Sequence, residues 1–150
     1  MLNFEVDPAL LESRVPAGTV LDTFGGKTFV SVVGFLFLET KVLGVPIPFH
    51  RNFEEVNLRF YVRRGERRGV VFVKEIVPRF FVAAVARWVY GENYVSLPMR
   101  HRCEVGPQGG PVEYAWRTGA KWNQLSVRAT GAPRKAEPGS EAEFITEHYW

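Results

Sequence analysis

Within 52–62, Asn-Phe-Glu-Glu-Val-Asn-Leu-Arg-Phe-Tyr-Val, polar side chains recur at every second residue from Glu55 onward, which predicts a β-strand with two unlike faces. Successive strand side chains point to opposite sides of a sheet, so Glu55, Asn57, Arg59 and Tyr61 share one face and Val56, Leu58, Phe60 and Val62 the other. A carboxylate, an amide, a guanidinium and a phenol in one row belong either to a wetted sheet surface or to the polar lining of a pocket. The pattern favours the pocket and leaves its ligand open.

The remaining pattern is dominated by strands. Asp7-Pro8 followed by Ala9, Leu10 and Leu11 predicts a capped helical turn, closed by Pro16-Ala17-Gly18. Leu21 to Phe24 then enters a tight turn at Gly25-Gly26. The run 27–38 is too continuously apolar for a solvated face and predicts a strand buried on both sides. Gly44, Pro46 and Pro48 make 39–51 a loop long enough to act as a lid or rim. Residues 69–77 are the expected hairpin partner of the polar-faced strand, and Pro78 ends them. Over 79–90, Ala, Val, Phe and Trp occupy nearly every side of a helical wheel, broken only by Arg87, which predicts a buried helix. A late hairpin is expected from 112–117 and 124–130, and Ser140 with Glu143 forms a capping box for a short final helix. The pattern describes one domain, 1–150, α+β but mainly β.

Composition narrows the function classes. The 150 residues are 46% hydrophobic and include 12 Phe, 4 Trp and 5 Tyr, enough for one real core. The net charge is +3, but 19 Lys+Arg against 16 Asp+Glu is a mixed surface rather than a polycation. The dense basic cluster, Arg63-Arg64-Gly65-Glu66-Arg67-Arg68, falls at the hairpin turn, and no stacking aromatics or recognition helix accompany it, so no nucleic-acid partner is expected. Cys103 is the only cysteine, which excludes an internal disulfide and fits a reducing cytoplasm. No basic start followed by an apolar stretch marks a signal peptide, and the apolar run around Arg87 is too short to span a bilayer, so no membrane association is expected. His50, His101 and His148 lack metal-ligand spacing, and Ser31, Ser96 and Ser126 lack a nucleophile-elbow context; neither a metal nor a cofactor is expected. Cys103 follows Arg100, His101 and Arg102, a setting that favours thiolate, against the plainer reading of a strand cysteine.

Four segments carry a family resemblance: Val6-Asp7-Pro8 with Leu10-Leu11 and Pro16; Leu21-Asp22-Thr23-Phe24-Gly25-Gly26; the strand 52–62; and the close from Gly139-Ser140 to Phe144-Ile145-Thr146-Glu147-His148-Tyr149. In these the chain resembles the YqjF-like family of unknown function, within the acetoacetate decarboxylase-like superfamily. The resemblance implies an antiparallel β-barrel or cone with an internal cavity and a helix leading into it, and it matches Glu55 to the cavity glutamate of the decarboxylases. It also implies a departure. The decarboxylases follow the helix with Tyr-Pro-Lys-Lys, whose first lysine forms a Schiff base; here the segment reads Glu92-Asn93-Tyr94-Val95, with Tyr94 in the cavity and no lysine. Family members usually continue past Trp150 with more strands, so the resemblance implies a barrel short of its end, its hydrophobic surface either exposed or covered by a partner subunit in a homo-oligomer.

The candidate ligand-binding residues are therefore Glu55, Asn57, Arg59, Tyr61 and Tyr94, for a small, partly apolar carboxylate or carbonyl compound. Without a charge partner, Glu55 should hold its proton more tightly and suit general acid or base work. Arg59 is two alternations from Glu55, about 13 Å along the strand at ~3.3 Å per residue, and its fork suits a bound carboxylate. The alternative is a structural network stitching the sheet. Lys74, in the apolar strand 70–76, is a candidate displaced Schiff-base amine if desolvated, against an outward-pointing lysine. Three readings stay open: a binding fold, an enzyme of the superfamily using Glu55, and an interaction module that dimerises.

Overall fold

The computed structural model describes residues 1–42, 45–46, 52–85, 93–132 and 134–148. Strands dominate. β1 (Leu2–Val6), β2 (Val20–Leu21), β3 (Thr28–Phe37), β6 (Phe53–Arg64), β7 (Arg67–Val77) and β8 (Tyr94–Ser96) form one six-stranded sheet in the order β1-β3-β6-β7-β8, with β2 also paired to β6. β9 (Met99–Cys103), β10 (Gly109–Thr118) and β11 (Lys121–Thr130) form a second sheet, and β4 (Lys41–Val42) pairs with β5 (Val45–Pro46). Two 3-10 turns, Pro8–Leu10 and Glu12–Arg14, and two short helices, α1 (Phe80–Val85) and α2 (Glu141–Thr146), complete the described elements.

Most of the expected signals act as written. Asp7 caps the first turn, its Oδ1 accepting from Ala9 N at 2.9 Å. Gly25 and Gly26 both take positive φ, 57° and 78°, and close the Phe24–Lys27 bridge. No residue of β3 is exposed, as its unbroken apolarity requires. Ser140 Oγ accepts from Glu143 N at 3.2 Å, and the Glu143 carboxylate reaches back to Gly139 N, so both ends of the capping box close.

Other expectations need correction. The late hairpin runs further than its apolar core, because Gly119 alone supplies the positive φ that the turn needs. β1, β8 and β9 are too short or too polar for period counting to mark them. Of the helix expected at 79–90, the described part is α1: Ala83 is buried against Phe53 and Val77, while Phe80 at its first position is 71% exposed. Residues 86–90, and most of the loop 39–51 expected as a lid, lie outside the described residues. Among the described residues the sheets do not close into a barrel.

The large sheet has two dressed faces. On one, Phe60 and Val62 pack with Leu11 and with Val6, Val15, Leu21, Val30, Val71 and Val73. Further along that face Val56 meets Tyr114 and Leu125 of the second sheet. Phe60 is fully buried, which contributes about 1.5–3 kcal/mol. The opposite face carries the polar row. α2 covers one end of it, where Phe144 and Ile145 pack on Tyr61 and Phe29; α1 covers the other, where Ala83 packs with Phe53 and Val77.

Candidate functional site

Between those two helices the sheet presents Glu55, Asn57 and Arg59 from β6, with Ser31, Val33 and Phe35 opposite them on β3. Glu55 and Asn57 are almost wholly buried, at 1% and 3% exposure. Asn57 Nδ2 donates to Glu55 Oε1 at 3.0 Å, and the Tyr94 hydroxyl donates to Glu55 Oε2 at 2.9 Å. Both carboxylate oxygens are thus held from opposite sides. Strand β8 delivers Tyr94 to this place by pairing in parallel with β7, Tyr94 opposite Glu75 and Val95 opposite Ile76.

Glu75 is the residue that sequence reasoning missed. It is 2% exposed and lies opposite Asn57 on the same face. Its neighbour Lys74, proposed as a desolvated amine, is exposed and pairs with Leu58 on the reverse face. The cause is one extra residue in β7. From the turn, Arg64 pairs with Arg67 and Arg59 with Phe72, a register that would put Lys74 opposite Asn57; a bulge at Val73 shifts the pairing so that Leu58 takes Lys74 and Asn57 takes Glu75. A one-residue slip exchanges the two faces, which turns the lysine out and the glutamate in.

The Tyr94 phenol therefore lies against two carboxylates. Burial, followed by the charges of Glu55 and Glu75 and hydrogen bonds to both, pushes it far above its ordinary value of 10.0. It serves as a proton donor to the carboxylates and not as a base. A folded-state value raised above the unfolded one costs nothing below about pH 10 and loses stability above it, because the unfolded chain then ionises first. Absorbance at 295 nm should show a step in which buried tyrosine ionises only with unfolding, and Tyr94→Phe should lower its amplitude by one tyrosine; a full set of tyrosines titrating in the folded protein would refute the assignment.

Tyr61, also a candidate, shares the face but not the site. Its side chain is fully buried, its hydroxyl bonds Ser31 Oγ, and its ring meets Phe144 and His148 under α2. Arg59 is half-buried: its Nη2 reaches Met1 Sδ at 3.7 Å and its guanidinium lies 5.8 Å from the Tyr61 ring centre. Among the described residues, the buried atoms Asn57 Oδ1 and Arg59 Nε on this face have no hydrogen-bond partner. A cavity of about 680 Å³ lies elsewhere, at the arginine turn between Pro16, Thr19, Val62 and Val71, and one of about 220 Å³ is lined by Lys74, Trp116 and Asn57 among others; neither is lined by Glu55. The described residues hold no group of three or more metal-ligating side chains, and no described helix is long and apolar enough to cross a membrane.

The comparisons agree with this architecture. The profile of DUF2071, uncharacterized conserved protein, matches residues 1–150. The chain is 26% identical over 151 residues to uncharacterized protein YqjF of Bacillus subtilis (strain 168), covering 98% of this chain and 61% of the relative. Its fold is similar to acetoacetate decarboxylase from Legionella pneumophila, with a TM-score of 0.67 at 15% identity over 97% of this chain and 50% of that one. The enduracididine biosynthesis enzyme MppR complexed with pyruvate is similar at TM-score 0.65 and 16% identity, over 91% of this chain and 55% of that one. The chain thus spans about half the length of the solved structures it matches, and its fold is acetoacetate decarboxylase-like and mainly β.

Proposed function

The chain belongs to the DUF2071 family of uncharacterized conserved proteins, and on that premise we propose that it binds a small carboxylate or carbonyl compound on the polar face of the large sheet. The observation that carries this reading is the buried Glu55 carboxylate, held between the Asn57 amide and the Tyr94 phenol. Burying a carboxylate is costly, and a merely structural role is better served by an apolar side chain. Arg59, with its buried unpartnered Nε, is the group to hold a ligand carboxylate. A similar fold that takes pyruvate supports a ligand of this size and charge. The two sheets are arcs of the superfamily's cone, with the site on its inner side. Glu55 is the acid or base of any reaction there, and Schiff-base chemistry through Lys74 is not part of the proposal, since that amine lies on the other face. The lone exposed thiol of Cys103 fits a cytoplasmic protein.

Native mass spectrometry of the purified protein tests this against a Glu55→Ala, Arg59→Ala double variant of equal foldedness. The expected result is a small acid or carbonyl compound retained by the parent and lost by the variant. Retention by both would place the ligand elsewhere on the protein.

A further inference from the structure

Asn57 Oδ1 and Arg59 Nε, both buried and unpartnered on the polar face, have opposite hydrogen-bonding sense. Asn57 Nδ2 donates to Glu55 Oε1, and a carboxylate oxygen accepts, so the orientation of the amide is fixed and Oδ1 is an acceptor. That oxygen is buried and unmatched on a residue only 3% exposed. Arg59 Nε can only donate, and it too is buried and unmatched. The two residues are one alternation apart, about 6.6 Å along the strand at ~3.3 Å per residue. Buried polar atoms are matched in the great majority of folded proteins, so a donor and an acceptor left unmatched one alternation apart mark the place of a missing partner.

From this pairing we infer that the ligand is a hydroxy acid: its hydroxyl donates to Asn57 Oδ1 while its carboxylate accepts from Arg59. The inference rests on the reading of the site given above and goes further, because a keto acid satisfies Arg59 but offers no proton to Asn57. Two acceptors would then face each other, the carbonyl oxygen of the ligand and the amide oxygen of the protein. A site built to bond a hydroxyl rejects the analogue that lacks it, since its own polar atom is left unmatched. The Tyr94 phenol cannot substitute as the donor, since its proton is committed to Glu55 Oε2.

Calorimetric titration with lactate against pyruvate, and with 3-hydroxybutanoate against acetoacetate, tests the assignment on the unmodified protein. The expected result is that a hydroxy acid binds at least about 10-fold more tightly than its keto counterpart. Asn57→Leu should abolish that preference, and Arg59→Ala should weaken both members of a pair alike. Keto acids that bind as tightly as hydroxy acids, and with the same dependence on Arg59, would overturn the inference and leave the site in place. If neither series binds in an Arg59-dependent way, the site reading falls and the inference with it. The wild-type ratio decides even where a variant fails to fold.

Discussion

Gly34→Ala should destabilise the protein by about 3 kcal/mol, or roughly 6–12 °C in Tm for a domain of this size. A Cβ at this position would stand 2.6, 2.8 and 2.9 Å from ring carbons of Tyr114, inside any ordinary contact distance. The ring cannot step aside: it is 4% exposed, packs with Val56 and Leu125, and stacks on His101 at 6.2 Å between centres. Gly34 does not take a positive φ, so alanine would otherwise gain about 0.4–1 kcal/mol by restricting the unfolded chain. The steric term is several times larger and decides the sign. Urea denaturation measures the difference. Tyr114→Ala, which removes the obstructing ring, should cost less in the Gly34→Ala background than alone, with a coupling of about 1 kcal/mol or more. Strictly additive effects would mean that the second sheet does not sit on β3 at this point.

How much of this was legible in the sequence depends on whether the responsible signal is local. The face carrying Glu55, Asn57 and Arg59 follows from the alternation over 55–62 in β6, which keeps one register with β3 from Phe53 to Phe60. The α2 cap follows from three residues that bond one another. The β7 bulge has no such signature. Val73 is an ordinary strand residue, and nothing in Val-Lys-Glu says which of the two charges turns inward until the pairing with β6 is known. Tyr94 was reached only through the family resemblance, because three paired residues give no periodicity to count. Gly34 did carry a usable sign, since glycine inside a strand marks a bulge or a close approach. Tyr61 lies on the face that the alternation predicts, but its surroundings were not legible: the strand pattern shows where a side chain points, and only the packing of α2 shows what it meets.

Asp22 and His148, bonded across 126 residues of sequence, carry the second large expected effect. His148 Nδ1 lies 2.6 Å from Phe144 O, which only accepts, so that nitrogen holds a proton. Its Nε2 faces Asp22 Oδ2 at 2.9 Å, and the imidazole is wholly buried. The bond ties the end of α2 to the segment that precedes the Gly25-Gly26 turn, and Tyr61 and Phe144 enclose the ring at 4.8 and 4.6 Å. The two partners are not equivalent. Removing His148 leaves Asp22 with the Thr23 amide at 3.1 Å and with Arg68 and Arg63 at 3.4 and 3.7 Å. Removing Asp22 leaves the buried His148 Nε2 without its partner and takes the shared carboxylate from both arginines. Asp22→Ala should therefore cost about 3–5 kcal/mol, the range for breaking a buried pair, and more than His148→Ala. In both variants hydrogen exchange at the α2 amides should speed up before the β6–β7 hairpin opens, since the lost bond anchors the helix and not the sheet. The double variant should cost less than the sum of the two by at least about 1 kcal/mol. Equal costs with full additivity would mean that the two side chains stabilise the fold separately, and that α2 is held over Tyr61 by Phe144 and Ile145 alone.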